Sequence, residues 1–246
     1  MDEIWIRDQT ARILHRYTLF GKHCRLDISK LLSHLVGMQA DMHEIERIGR
    51  CALVLRGFAL PQAKDVIAAV KAIEKSAPYR HMVTPGGFTM SVGLTNCGVL
   101  GWTTDRRGYR YTKADPMTGT AWPAMPPLLE DLAAAAALAA GFLGFKPDAC
   151  LVNRYTPGAK LTLHQDKNEK DFDAPIVSLS LGMTATFLFG GQKRADGTMK
   201  IPLHHGDVVV WGGEDRLRFH GVMTLKGQAH SSLGHERINL TFRKAG

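Results

Sequence analysis

The sequence is poor in cysteine and contains no long apolar segment. Its four cysteines, at positions 24, 51, 97 and 150, are scattered and form no Cys-x-x-Cys pair. This spacing argues against a disulfide framework and favours a reduced, cytoplasmic setting. The most apolar stretch, about residues 128–145, is alanine-rich and has two acidic residues near its start, so no uninterrupted run reaches the roughly 18 residues of a membrane helix. The first residues also lack the basic-then-apolar order of a signal peptide.

Internal repeats and low-complexity tracts are also absent, and the overall composition is that of a globular protein. A hydrophobic fraction of 45% suits a packed core, and 246 residues suffice for one large domain or two small ones. The formal net charge is +8. Residues 1–50 hold eight basic and seven acidic residues, so almost all of this charge belongs to residues 51–246. Such an excess favours polyanionic partners, although an ordinary solvated surface gives the same balance.

A candidate metal-binding pattern lies in the segment from Asn153 to Glu169, which contains His164-Gln165-Asp166. In an extended strand the side chains at 164 and 166 point to the same face, about 7 Å apart, so both can bind one metal ion. Two histidines and one carboxylate on one face are the ligands of many iron(II) oxygenases. His220 is the best candidate for the third ligand. Taken alone, the His-x-Asp pattern also fits a solvated strand end.

The last strand supports a buried polar site. In the segment from Arg237 to Arg243 the apolar residues Ile238, Leu240 and Phe242 alternate strictly with polar ones. If the apolar face packs outward, the other face directs two guanidinium groups into the interior, where they require anionic partners. A dicarboxylate ligand is such a partner, since carboxylates match guanidinium in a bidentate geometry. A half-exposed edge strand with a polar outer face is the alternative.

The remaining pattern predicts a mainly β fold with flanking helices. Helices are predicted over residues 63–76 and 128–140, and a short strand lies within residues 51–58. Eight further strands are predicted at residues 150–155, 161–165, 176–181, 186–189, 199–204, 207–211, 219–222 and 238–242. Their turn-separated spacing is typical of a sandwich or jelly roll.

The N-terminal residues 1–50 are interpreted as an extension of unknown function, followed by one domain over residues 51–246. Apolar residues recur at helical spacing over residues 28–47, which predicts a helix there. An accessory helix is one interpretation. The other interpretation, which the sequence favours equally, is that translation starts at Met38 or Met42 and that the preceding residues are not part of the protein.

Residues 80–125 are rich in glycine, proline, threonine, arginine and aromatic residues, and are predicted to form a substrate lid that is too polar for a core. Within it, Trp102, Tyr109 and Tyr111 are interleaved with three arginines. Nucleic-acid-binding proteins use this mixture, because rings stack on unpaired bases and guanidinium groups contact phosphates. A basic hairpin with partly buried rings is the structural alternative.

Several long motifs together resemble the AlkB family of iron(II)- and 2-oxoglutarate-dependent dioxygenases, in particular its bacterial DNA-dealkylating members. The resemblance runs from about residue 53 to 246 and rests on MVTPGGFTMSV (82–92), TNCGVLGWTT (95–104), NRYTPGAKLTLHQDKNE (153–169), HGDVVVWGGE (205–214), FHG (219–221) and NLTFR (239–243). It implies a double-stranded β-helix, or jelly-roll, core with flanking helices and a nucleotide-recognition lid. It also implies oxidative demethylation of N-alkylated bases such as 1-methyladenine and 3-methylcytosine.

The resemblance further implies a role for each matching residue. His164, Asp166 and His220 would bind Fe(II), and dioxygen and 2-oxoglutarate would be the cosubstrates. The 2-oxoglutarate site would consist of Asn153, Tyr155, Arg237, Asn239 and Arg243. Nucleotide contacts would come from Trp102, Tyr109, Tyr111, Asn168 and Arg194. The expected partner is alkylated single-stranded DNA, with double-stranded DNA or RNA also possible, and the expected state is a cytoplasmic monomer.

One position departs from the pattern of the bacterial enzymes. Where they have a second aspartate after the metal-binding one, this chain has Asn168 in Asp166-Lys167-Asn168-Glu169. The amide can hydrogen-bond but carries no charge, which leaves lesion preference open. Three other functions remain open from the residues: the same chemistry on RNA or on a protein side chain, a nucleic-acid-binding module without catalysis, and zinc-dependent hydrolysis at the triad.

Overall fold

The structure is a computed structural model that describes residues 44–246. Its two helices are α1 (Ala63–Ser76) and α2 (Pro127–Ala139), and its strands are β1 (Ile45–Arg47), β2 (Ala52–Leu55), β3 (Gly93–Gly98), β4 (Gly101–Asp105), β5 (Gly108–Thr112), β6 (Ala149–Tyr155), β7 (Leu161–His164), β8 (Ile176–Gly182), β9 (Ala185–Phe189), β10 (Met199–Leu203), β11 (Val208–Trp211), β12 (His220–Val222) and β13 (Arg237–Arg243). The eight strands predicted after residue 148 are all confirmed, within one residue at either end.

The strands form a seven-stranded sheet, a four-stranded sheet and a separate hairpin. The large sheet has the order β1-β2-β11-β8-β13-β6-β3, the small sheet has the order β10-β9-β12-β7, and β4 pairs with β5. Every pair of these strands is antiparallel. Most strands that are neighbours in the two sheets are not consecutive in the sequence, as in the predicted jelly roll.

The main core fills the space between the two sheets. Phe187 and Phe189 from the small sheet lie against Trp211 from the large one, with ring centroids 6.1 and 6.4 Å from the tryptophan ring. Burial of large apolar side chains of this kind is the dominant favourable term in folding. One end of this space is lined by polar residues instead, and the candidate site lies there.

The two helices form where predicted and contact the large sheet. The buried residues of α1 (Ala63, Val66, Ile67, Val70 and Ile73) recur at the period of a helix, and α1 contacts β3. Helix α2 contacts β8 and β11 through leucine and alanine side chains that allow close approach. None of the helices that the structure describes combines the length and apolarity needed to cross a membrane.

Two expectations need correction. Residues 45–47, the end of the predicted helix over 28–47, form strand β1, which pairs with β2 because its backbone completes the sheet edge; residues 1–43, including the rest of that helix, lie outside the described residues. The second correction concerns residues 80–125, which were predicted to be too polar for a core: part of this segment is buried. Strand β3 is almost wholly buried and pairs with β6, because its polar residues are satisfied: Thr95 Oγ1 donates to the Ala77 carbonyl at 2.6 Å.

Candidate active site

Strand β13 supplies a buried row of polar side chains. It lies between β6 and β8 in the middle of the large sheet, and all seven of its residues are buried. This position excludes the half-exposed edge strand. Its alternation therefore separates an apolar face from a polar face carrying Arg237, Asn239, Thr241 and Arg243 inside the protein.

Three candidate metal ligands meet between the sheets. His220 on β12 is the cross-strand partner of His164 on β7, and Asp166 follows two residues after His164. Asp166 Oδ1 lies 3.7 Å from His164 Nε2, and Asp166 Oδ2 lies 3.7 Å from His220 Nε2. One donor atom from each residue lies within 4.8 Å of the other two, so a single ion can reach all three. The predicted His-x-Asp and distant His pattern is thus one cluster.

The hydrogen bonds of the two histidines are made by Nδ1, and the Nε2 atoms face the Asp166 carboxylate. His164 Nδ1 is 2.9 Å from the Thr162 carbonyl oxygen, and His220 Nδ1 is 3.0 Å from the Arg218 carbonyl oxygen. A carbonyl only accepts, so each Nδ1–H donates, and in the neutral form of each ring the lone pair is on Nε2. Burial lowers the pKa of His220 to about 4, so this imidazole is neutral near pH 7, as metal binding requires.

The Asp166 carboxylate is held ionised. Burial by itself raises the pKa of this carboxyl, but the Arg243 guanidinium and the two imidazoles outweigh it and hold the pKa well below the usual range. Arg243 donates from Nε and Nη2 to Asp166 Oδ2, at 2.9 and 2.7 Å. Two neutral imidazole nitrogens and one carboxylate are the donor set that suits iron(II).

Arg237 is a buried cation with unused donors. Its side chain is 1% exposed, and Nη2 donates to Ser180 Oγ at 2.8 Å. Nε and Nη1 have no hydrogen-bond partner within residues 44–246. Its guanidinium carbon lies 4.9 Å from the Tyr155 ring centroid, and the Tyr155 hydroxyl also lacks a partner in that part of the chain. Unpaired buried donors are costly, so this pocket fits an anionic ligand such as a carboxylate.

The asparagines of the predicted cosubstrate site are already engaged with the protein. Asn239 Nδ2 donates to Ser178 Oγ at 2.8 Å and to the Leu179 carbonyl at 2.9 Å, and Asn239 Oδ1 accepts from Asn153 Nδ2 at 3.3 Å. These bonds orient the polar face of β13. A cosubstrate contact with the Asn239 amide would replace one of these bonds, whereas Asn153 contributes one N–H to them. The ligand role of both asparagines stays a prediction.

The predicted nucleotide-binding residues lie on the β4–β5 hairpin and in the segments next to Asp166 and Phe219. Trp102 lies opposite Tyr111 in the β4–β5 hairpin, and the Trp102 and Tyr109 rings stack with centroids 5.7 Å apart. Asn168 is exposed in the segment just after Asp166, and Arg194, also exposed, lies over the ring of Phe219 at 5.3 Å, next to His220. Tyr111 differs from the others, because its hydroxyl bonds to Glu169.

Two buried charged residues beside the triad, Arg216 and Glu169, were not predicted from the sequence. Arg216 donates to the Asp166 carbonyl at 2.8 Å, to the Ala174 carbonyl at 3.1 Å and to Glu169 Oε2 at 3.2 Å. It holds the segment that follows the aspartate ligand. Charges in loop sequences normally indicate a solvated surface, so no local signal separated these two from their neighbours.

Comparison with known proteins agrees with this geometry. The family model for the 2OG-Fe(II) oxygenase superfamily matches residues 52–243. The alpha-ketoglutarate-dependent dioxygenase AlkB of Escherichia coli is 55% identical over 201 residues, covering 82% of this chain and 93% of that protein. The AlkB protein of Salmonella typhimurium is 55% identical over 194 residues, covering 79% of this chain and 90% of that protein.

The fold is shared with a solved structure of a related protein. The structure of OsALKBH1 superposes with a TM-score of 0.71 at 29% identity and covers 82% of this chain and 100% of that one. This likeness confirms the predicted jelly-roll class. The family model matches most of the chain and the two AlkB proteins match over most of their own length, so the chain belongs to the 2OG-Fe(II) oxygenase superfamily and, within it, to the AlkB family of iron(II)- and 2-oxoglutarate-dependent dioxygenases.

Proposed function

We propose that this enzyme oxidatively removes methyl groups from N-alkylated bases in DNA, preferentially in single strands. One observation carries the proposal: Arg243 bonds to Asp166 of the metal-binding triad, and the same strand face carries Arg237, whose Nε and Nη1 lack partners among the described residues. The aromatic hairpin is bonded through Tyr111 to Glu169, which lies 3.4 Å from Arg243. A hydrolytic zinc site has no use for those guanidinium donors, and a binding module has no use for the triad.

In this proposal the residues of the candidate site have the following roles. His164, Asp166 and His220 hold the iron(II), and Arg237 binds the distal carboxylate of 2-oxoglutarate through Nε and Nη1. Arg243 holds the aspartate ligand and keeps one further nitrogen, Nη1, without a partner in the described chain, for the metal-proximal end of the cosubstrate. Iron(II) held by these residues would supply the oxidation by dioxygen in which 2-oxoglutarate becomes succinate and carbon dioxide and the N-methyl group becomes hydroxymethyl, which is lost as formaldehyde.

The β4–β5 hairpin supplies the nucleic-acid surface. The 47% exposure of Tyr109 and its stacked pairing with Trp102 provide ring faces that an unpaired base can contact. A base must leave the helix to reach a buried metal, and single strands avoid the cost of unstacking. We also propose a monomeric enzyme in the cytoplasm, with an N-terminal extension of unknown function. The catalytic domain begins earlier than the predicted residue 51, because strand β1 (Ile45–Arg47) belongs to its large sheet.

Replacing Trp102 by alanine is expected to weaken binding of a single-stranded oligonucleotide by about tenfold or more, because a base–aromatic stack contributes about 1–3 kcal/mol. Fluorescence anisotropy with a labelled oligonucleotide measures the change. Iron-dependent succinate formation without nucleic acid should stay within about twofold of the wild type. An unchanged oligonucleotide affinity would remove the hairpin from the nucleic-acid surface.

The variant Asn168→Asp is expected to raise the rate on N1-methyladenine by about three- to tenfold, since a hydrogen bond to a charged acceptor is roughly twice as strong as a neutral one. The lesion base is cationic and Asn168 is exposed beside the metal-binding aspartate. N3-methylthymine, which is neutral, is the matched control and should show no such gain. Equal rates of the two proteins on both lesions would mean that position 168 does not contact the base.

The decisive test is mass spectrometry of a single-stranded oligonucleotide with one N1-methyladenine, incubated in air with the protein, iron(II) and 2-oxoglutarate. Loss of the methyl group in the complete mixture but not with a chelator supports the proposal. Succinate without demethylation would assign the same chemistry to another substrate. Parallel reactions with double-stranded DNA and tRNA carrying the same lesion rank the nucleic acids.

A further inference from the structure

Glu169 is a buried carboxylate that joins three different parts of the protein. Its side chain is 2% exposed. Tyr111 of β5 donates its hydroxyl to Oε1 at 2.6 Å, and Arg216, from the loop before β12, donates to Oε2 at 3.2 Å. Arg243 of β13 lies with Nε 3.4 Å from Oε1. The hairpin that carries the stacking rings is therefore bonded to an anion beside the metal site.

The same Arg243 continues this connection to the metal ligand. Its Nε and Nη2 donate to Asp166 Oδ2, so Tyr111, Glu169, Arg243 and Asp166 form one continuous line of polar contacts. The Arg243 side chain is 6% exposed and the Asp166 side chain is 9% exposed. In such a low-dielectric environment, charged hydrogen bonds are strong and rearranging one member affects the next.

The β4–β5 hairpin can respond to a bound nucleotide because it belongs neither to the large sheet nor to the small sheet. Strands β4 and β5 pair with each other as a separate two-stranded sheet. Trp102 and Tyr111 are directly opposite in this ladder, so their side chains share one face. A base that stacks on Trp102 therefore acts on the strand pair whose tyrosine bonds to Glu169.

We propose that Tyr111, Glu169 and Arg243 form a relay that couples nucleotide docking on the hairpin to the orientation of Asp166. This inference rests on the proposed function, since it takes a nucleic acid as the docking molecule. Tyr111 is then a positioning residue rather than a hydrogen-bonding contact to the nucleotide. Its consequence is that 2-oxoglutarate turnover is matched to methyl removal only while the relay is intact.

The first test uses hydrogen–deuterium exchange of the full-length, metal-free protein with Tyr111→Phe, which keeps the ring and removes the hydroxyl. Amides of residues 101–112 and 165–170 are expected to exchange about tenfold faster, as the loss of a hydrogen bond to a charged group implies. Tyr79→Phe is the matched control, because the Tyr79 hydroxyl has no partner within residues 44–246. Equal exchange in Tyr111→Phe and the wild type would overturn the structural link.

The second test measures formaldehyde and succinate in the same reaction on the N1-methyladenine oligonucleotide. The wild type should release them in nearly equal amounts, whereas Tyr111→Phe should release about threefold or more succinate per formaldehyde, in line with typical coupling between sites. If the wild type releases no formaldehyde, the proposed function fails. If the wild type does and Tyr111→Phe gives the same ratio, the relay alone fails.

Glu169→Gln tests the other half of the relay. The amide oxygen can still accept from Tyr111, but the charge beside Arg243 and Arg216 is lost. We expect affinity for cobalt(II) alone to fall by about tenfold, as for other residues that orient metal ligands, with circular dichroism checking the fold. Wild-type cobalt affinity in a folded Glu169→Gln protein would show that Glu169 does not position Asp166.

Discussion

Replacing Asp166 by alanine is expected to abolish succinate formation, with a loss well beyond the roughly 10–100-fold that changes to residues around the ligands cause. The carboxylate is the one anionic ligand of the triad, and both histidines lie 3.7 Å from its oxygens. Its removal leaves two imidazoles and no carboxylate, a ligand set that holds iron(II) weakly. Succinate production and bound iron, measured on the same purified sample, check this result.

Asp166→Asn separates charge from shape, and it should be nearly as inactive, since a neutral amide oxygen is a poor substitute for a carboxylate ligand. Removing Asp166 also takes a partner from the buried Arg243, so circular dichroism must show a folded protein. Asp131→Asn, an exposed carboxylate on α2, is the control and should match the wild type. Retained turnover by a folded Asp166→Ala protein would contradict the metal site.

Replacing Arg237 by alanine is expected to raise the KM for 2-oxoglutarate by about a hundredfold or more. Two of its nitrogens are available for the distal carboxylate, and each hydrogen bond between charged groups contributes about 1.5–3 kcal/mol, where 1.4 kcal/mol is about a factor of ten. Initial rates over a wide range of 2-oxoglutarate concentrations give the KM. Oligonucleotide affinity should change by less than about twofold, because Arg237 is buried and does not form part of the surface that a nucleic acid contacts.

Replacing Arg237 is expected to lower the stability of the ligand-free protein less than replacing most other buried charged residues would. Since Nε and Nη1 lack partners among the described residues, its removal strands no buried anion and the ligand-free melting temperature should not fall steeply. Arg237→Lys keeps a charge without the planar fork and should give an intermediate KM. Arg154→Gln, a cation near Glu74, is the control with an unchanged KM. A fall in DNA affinity with a normal KM would instead assign Arg237 to the nucleic-acid surface.

The strands of the jelly roll were predictable because their signal is local. Side chains alternate along each strand and turn residues separate them, so eight strands were placed within one residue at either end. The same locality misled at strand β3, where Thr95 and Asn96 suggested a solvated lid. Asn96 instead bonds through both its amide atoms to the backbone of Trp102, at 2.9 and 3.0 Å. Strand β3 is buried because it pairs with β6, about fifty residues later in the sequence.

The sequence predicted which residues form the candidate site but not the hydrogen bonds and ion pairs between them. The His-x-Asp spacing, the alternation of Arg237 to Arg243 and the family motifs each name residues in order along the chain. Nothing along the chain reveals that Glu169 is buried, that Tyr111 bonds to it, or that Arg237 has unused donors. Those are distances between atoms from segments far apart in sequence.

The sequence by itself therefore determined the class of fold, the candidate metal ligands and the membership of the family, because periodicity and motif spacing are properties of contiguous residues. Only the tertiary structure decided that β13 lies in the middle of the large sheet and that its arginines differ in their partners: Arg243 pairs with Asp166, while Arg237 keeps free donors among the described residues. The physical reason is that burial and pairing of charge depend on which distant strands meet, and that is settled by packing of the whole domain.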